Sequence, residues 1–352
     1  MERMTQLERW RAWQAREPLD RPMRRSAYTP DMFKRLTEHL GGRDPDEVFR
    51  PDAGAAISLH PPEGYAKPCF SACYDGADES EIDALGVLRR RGTFHHFTQT
   101  ISPLRNAATL DEIEAFPIET EAGWRDGHMA GEVETHHREG RFVTGMVGHI
   151  YEHAWQIRGY EPFLTDLLAA RDRAESILDR LTERNVNRAV AAARAGADVL
   201  HTGDDIANQK AMMFSPDLWR EFLKPRWARV YEAARRARPD VAVWYHSDGN
   251  IEAVIPDLIE IGVTILNPLQ PECMDVERVF RGYRDRLLFD GSMGTQSVFP
   301  WGTPDDVRAM VARRRAVFGD ALLLAPTHVL EPEVPPENVV AFYEACDGVT
   351  YA

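Results

Sequence analysis

The sequence predicts a closed (β/α)8 barrel with extra N-terminal helices and a peripheral hairpin, and three observations carry that reading. From Arg141 onward apolar strand-like runs alternate with amphipathic helical stretches over short connections, the pattern of a parallel sheet with right-handed crossovers. Five successive strand-like runs end in polar, small or titratable residues, as barrel strands do at the face that carries chemistry. No Gly-x-Gly-x-x-Gly or Walker-type loop follows any strand, so the usual phosphate cradles of open doubly wound sheets are absent. The 352 residues read as one domain, 1–352, with 1–50 a helical extension and 51–140 an irregular early-barrel region.

Leu7, Trp10 and Trp13 stand at helical spacing before the turn Pro18-Leu19-Asp20-Arg21-Pro22, and a second helix is expected over Asp31–Leu40, ended by Gly41-Gly42. An early strand falls near Ala55–Leu59. Gly86-Val87-Leu88 and Gly92–Phe97 suggest the hairpin, and Leu110–Phe116 a short helix before Pro117. His95-His96 and His136-His137 are adjacent pairs, which point oppositely in a strand and chelate poorly, so both read as surface features. Then follow a strand at Arg141–Met146, helices at Ala154–Ala170 and Glu175–Ala195, and a buried strand at Asp198–Leu200. Pro216–Ala237 is helical with a break at Pro225. Strands at Val241, Val263–Leu266, Leu287–Phe289 and Ala321 alternate with helices at Ile251–Ile261, Val276–Arg281, Pro304–Phe318 and Pro336–Ala345. With the less regular N-terminal strands the count approaches eight.

A formal net charge of −14 disfavours a nucleic-acid partner, since that binding rests on cationic neutralisation of phosphates. No apolar run approaches the roughly 20 residues that cross a bilayer, and the polar start lacks a secretory core, so a cytoplasmic protein without a membrane partner is expected. The four cysteines, Cys69, Cys73, Cys273 and Cys346, form no disulfide framework and read as buried or idle thiols.

The strand ends carry the functional signal. Val241–Tyr245 runs into His246-Ser247-Asp248-Gly249-Asn250, and Ala321–Ala325 into Pro326-Thr327-His328. His246 and Asp248 stand two apart, so in extended backbone both side chains face one side, where His328 is the candidate third group of a polar site or a bound divalent metal. Other ends supply His201, Gly203, Asp204, Asp205, Asn208 and Gln209; Asn267, Pro268 and Gln270; and Asp290, Gly291, Ser292, Thr295 and Gln296. Asp205 reads equally as a helix cap, and Gly203, Gly249 and Gly291 as turn residues. Tyr151, Glu152 and Trp155 are expected over the barrel mouth, with core packing an equal reading for Trp155.

These segments together resemble the uroporphyrinogen decarboxylase superfamily, which includes porphyrinogen decarboxylases and zinc-dependent methyltransferases acting between corrinoid proteins and thiols. The resemblance is carried by Trp155–Glu161, Gly203-Asp204-Asp205 with Gln209 and Ser215-Pro216, and His246–Asn250. Further on it is carried by Gly262-Val263, Asn267-Pro268, Gln270, Gly291, Gln296, Ala325–His328 and Pro335–Asn338. It implies a barrel, often dimeric. The methyltransferase branch resembles His-x-Cys after one strand and a further Cys after the last; here His246 matches, Asp248 stands at the first Cys position and His328 falls near the second. A His, Asp, His set suits zinc, iron or manganese with open positions.

The decarboxylase branch resembles Met-Arg-Gln-Ala-Gly-Arg-Tyr near its start. This chain has Met23-Arg24-Arg25-Ser26-Ala27-Tyr28, without the Gln, the Gly or the second Arg of that motif, so Arg24 and Arg25 read either as a carboxylate clamp or as solvated arginines. The resemblance thus implies a metal-dependent, zinc-type methyltransferase-branch enzyme acting with a methylated corrinoid, held by a partner corrinoid protein, or on a small methylated substrate. In it His246, Asp248 and His328 are ligands, Asp204, Asp205 and His328 candidate catalytic residues, and Tyr151, Asn267, Gln270, Arg24 and Arg25 substrate contacts. Cofactor-free decarboxylation of a polycarboxylate is the alternative, and a non-catalytic corrinoid-binding partner the third reading.

Overall fold

The computed structural model describes residues 3–75, 77–92 and 98–351. Nine strands are formed among them: β1 (Ala55–Ile57), β2 (Leu88–Arg91), β3 (Thr98–Ile101), β4 (Val143–Gly148), β5 (Val199–Gly203), β6 (Ala242–His246), β7 (Ile265–Leu269), β8 (Leu288–Met293) and β9 (Leu322–Pro326). Seven of them make one parallel sheet in the order β1-β4-β5-β6-β7-β8-β9, and β2 and β3 make the antiparallel hairpin. Its second strand begins at Thr98; the predicted stretch Thr93–Phe97, with His95-His96, lies outside the described residues.

The ring closes through a segment too short to be a ladder. Leu324 of β9 donates its amide to Met23 O (2.9 Å), Arg25 N donates to Leu324 O (3.1 Å), and Asp52 N, just before β1, donates to Arg24 O (2.8 Å). Met23–Arg25 therefore occupies the eighth strand position, between β9 and the approach to β1. This corrects the reading of Arg24 and Arg25 as solvated. Arg24 is fully buried and donates to Asp347 (2.7 and 2.8 Å) and to Phe49 O and Arg50 O.

Two cores flank the sheet. Outward-facing strand residues pack under the surrounding helices in a large apolar cluster. Inside the barrel a smaller cluster joins Phe142, Val199, Ala242, Ile265, Leu288 and Leu323 to Trp10 and Trp13. Those tryptophans lie on the first helix, Gln6–Ala15, whose start is fixed by a Thr5–Glu8 capping box. Trp10 stacks on Phe142 with centroids 4.3 Å apart, so the N-terminal helix plugs the lower end of the barrel.

Local chemistry moved some boundaries. The helix expected over Ala154–Ala170 is two, Tyr151–Arg158 and Tyr160–Ala169, because Gly159 takes φ +98° between them. Pro216–Phe222 and Lys224–Ala237 are likewise separate, as Pro225 requires. His136 and His137 are not on a strand but on the helix Met129–Arg138, where His137 pairs with Asp198 at 2.7 Å. No described helix is long and apolar enough to cross a membrane.

Candidate functional site

Alternation along β6 sorts its end as a strand should. His246 and Asp248 face the mouth of the barrel, while Ser247 between them is fully buried, its hydroxyl accepting from Ile206 N (3.2 Å) and donating to Asp248 O (3.1 Å). Asp205 comes from the segment just past the end of β5. One ligand atom each from Asp205, His246 and Asp248 lies within 4.8 Å of the others. Gly203 makes that approach possible: at φ +153°, a Cβ there would stand 2.2 Å from His246 O. Its close packing, not a turn, is what requires glycine.

His246 is oriented from behind. Its Nδ1 lies 2.6 Å from Asn267 Oδ1, and since an amide oxygen only accepts, Nδ1 carries the hydrogen and Nε2 keeps a free lone pair. That Nε2 faces Asp205 Oδ1 at 3.6 Å, and the same carboxylate oxygen accepts from Asp248 N at 2.9 Å. Burial raises the Asp248 carboxyl above its usual range, against the lowering influence of His246, and its Oδ1 is buried without a hydrogen-bond partner. An orphaned carboxylate oxygen, a second carboxylate and an imidazole nitrogen held in the ligating tautomer form a donor set that fits a divalent cation.

The two neighbouring aspartates have separate tasks. Asp204 is fully buried; its Oδ1 accepts from Ile150 N (2.8 Å) and Glu152 N (3.1 Å) and its Oδ2 from Trp227 Nε1 (2.9 Å). It thus caps the helix Tyr151–Arg158 from another strand, and burial pushes its carboxyl up to about 7. Capping, weighed for Asp205, belongs to Asp204, and Asp205 faces the mouth.

Above the cluster lies a cavity of about 380 Å³ whose walls include Arg25, His149, Glu152, Asp205, His246 and His328. Glu152 was legible only as a residue over the mouth. Burial, then the nearby Asp205 charge, raises it to about 7, and it sits 3.1 Å from His149 Nδ1. His149 is itself held neutral by burial, its imidazole lowered to about 4. His328 is half exposed on the rim, outside the three-residue group, and a second hollow places it with Asp248, Gln270 and Gln296. Gln270 accepts from Gly249 N at 2.6 Å, which braces the turn after Asp248. Tyr151 is fully buried between Phe163 and Phe214 instead of lining the mouth. Arg25 pairs with the buried Asp290 at 2.9 Å and lies over the Trp244 ring at 4.6 Å. His201, Trp244 and Asp290 all point into the barrel below, a trio that strand ends alone did not single out as a unit.

Fold and strand-end cluster together define a (β/α)8-barrel protein whose polar site sits at the C-terminal ends of its strands. Residues 130–349 match the family model for uroporphyrinogen decarboxylase (URO-D), and the chain belongs to that family. It is 28% identical over 205 residues to the methylcobamide:CoM methyltransferase MtaA of Methanosarcina barkeri, a stretch covering 58% of this chain and 57% of that one. A second such sequence, from the Fusaro strain, matches at 28% over 206 residues. The chain thus spans just over half the length of these curated relatives. Among solved structures, a methyltransferase from Methanosarcina mazei superimposes with a TM-score of 0.68 at 18% identity, covering 98% of this chain and 99% of the other, which establishes the shared fold.

Proposed function

We propose that this chain is a metal-dependent enzyme of methyltransferase type, moving a methyl group between a corrinoid carried by a partner protein and a small acceptor at the strand-end site. The observation that carries the reading is the Asp205, His246 and Asp248 group with Asn267 behind it. His246, Asp248 and Asp205 would hold a divalent cation, zinc among the candidates, with His328 on the rim across from Asp248. Such an ion supplies Lewis acidity that lowers the pKa of an acceptor bound to it. Histidine and carboxylates leave more positive charge on a zinc ion than thiolates do. An oxygen or nitrogen acceptor, or a thiol with a high pKa, suits that better than an already acidic thiol.

The residues around the group supply the rest. In the transfer, the acceptor heteroatom forms a bond to carbon as the donor–carbon bond breaks, its electron pair staying with the donor, and the acceptor's proton must leave. Glu152, raised to about 7 and facing the same cavity, is placed to take that proton. The decarboxylase alternative is less well supported because it needs free cationic groups, whereas Arg24 is committed to Asp347 and Arg25 to Asp290. The test is methyl transfer from free methylcobalamin to small thiols and alcohols, followed by the visible spectrum of the cobalamin. Metal-dependent turnover lost in His246→Ala supports the reading; turnover unaffected by that change, or carboxyl loss from uroporphyrinogen instead, overturns it.

A further inference from the structure

Below the strand-end site the barrel is hollow. Barrel interiors are ordinarily filled by successive layers of side chains from alternate strands. Here the lowest layer is filled and sealed by Trp10 and Trp13, but the next is not. Ala56 faces inward from β1 and is exposed, and Met146 is 39% exposed although its strand lies inside the fold. The space they leave is a cavity of about 200 Å³, walled also by Trp244, Ile265 and Leu323. It meets the mouth cavity at Arg25, His201 and Trp244, which line both.

The chemistry of the walls selects the guest. Most of the surface is carbon, and the charged groups around it are already engaged: Arg25 with Asp290, and Asp52 with Arg9 and Arg21. His201, half-buried, stands edge-on to Trp244 with ring centroids 4.8 Å apart. A water needs two to four polar partners, whereas an apolar cavity of about 150 Å³ stays dry and accepts benzene. Three buried polar atoms of wall residues have no hydrogen-bond partner: Oδ1 of Asp290, a residue only 1% exposed and next to the Arg25 neck, and the indole Nε1 of Trp13 and of Trp244.

We infer that the lumen receives an apolar group of the substrate, a ring or branched alkyl of about benzene size, whose attached heteroatom carries a hydrogen past Asp290 toward His246. That the guest is a substrate rests on the proposed function; the cavity and its preference do not.

Toluene tests it, read by the fluorescence of the tryptophans that wall the lumen. Saturable binding to the wild-type protein is expected, weakened at least about tenfold by Ala56→Leu, which fills the space. Absence of saturable binding, or equal affinity in Ala56→Leu, overturns the inference and leaves a water-filled lumen. Should Ala56→Leu fail to fold, Met146→Ala decides: the larger lumen must shift preference from toluene toward naphthalene, and an unchanged preference overturns the inference. Repeating the titration in His246→Ala separates the two readings, because toluene binding must survive there whether or not metal is bound. In metal-loaded protein, benzyl mercaptan is expected to bind at least about tenfold tighter than toluene and to lose that advantage in His246→Ala; equal affinities contradict the placement of the head group.

Discussion

His246 Nδ1 donates to Asn267 Oδ1 at 2.6 Å, which turns the other ring nitrogen toward Asp205 and Asp248. Outer contacts of this kind fix a ligand's tautomer and commonly change metal affinity about 10–100-fold. Asn267→Leu should therefore weaken zinc binding by that range while leaving His246 in place. Competition with a chromogenic chelator measures it; an unchanged affinity would remove Asn267 from the site.

Asp204 and Asp205 are adjacent but should behave oppositely when changed. Asp204→Ala leaves two backbone amides and the Trp227 indole without their buried acceptor, a loss of at least about 3 kcal/mol at about 1–3 kcal/mol per group. Asp205→Asn keeps an acceptor for Asp248 N and should cost little stability while lowering metal content. Urea midpoints with metal analysis on the same samples separate the two, and similar losses of stability in both would contradict the division.

Glu152→Gln removes the proposed proton acceptor without changing shape. A drop in kcat of about 10²–10⁴ is expected with little change in KM. The wild-type rate should rise with pH through about 7, because only the ionised carboxylate accepts a proton, and the variant should lose that limb. A variant that keeps both rate and pH profile assigns the proton elsewhere.

His201 gives a stability signature. Burial, then the neighbouring His246 and Arg25, lowers its imidazole to about 3, whereas the unfolded chain titrates near 6.5. Between those values the unfolded state binds the extra proton, so this contribution is fully present above about 6.5 and is lost as pH falls toward 3 at about 1.4 kcal/mol per unit. His201→Gln should accordingly be stabilised relative to wild type by about 2 kcal/mol more at pH 5 than at pH 7.5. Parallel pH profiles would place a charged His201 in the folded protein.

Much of this was legible because periodicity and spacing are local properties. His246 and Asp248 read as neighbours from a two-residue interval, and β6 delivers them as neighbours. The alternation of strands and helices gave the barrel, including the break before Pro225. What stayed hidden depends on closure. Met23–Arg25 makes too few ladder bonds to look like a strand, yet it completes the ring and buries Arg24. The capping of one helix by Asp204 from a different strand, and the hollow beneath Trp244, arise only when eight segments meet around one axis. His328 is at the rim where the last strand should put it, but loop geometry past β9 decides how far it stands from His246.

Metal content measured on protein purified without added metal decides whether Asp205, His246 and Asp248 hold an ion. About one equivalent of a divalent transition metal per chain is expected, falling at least about tenfold in His246→Ala with unfolding behaviour retained. Less than about a tenth of an equivalent in the wild-type protein, unchanged by His246→Ala and not restored by added zinc, would contradict it.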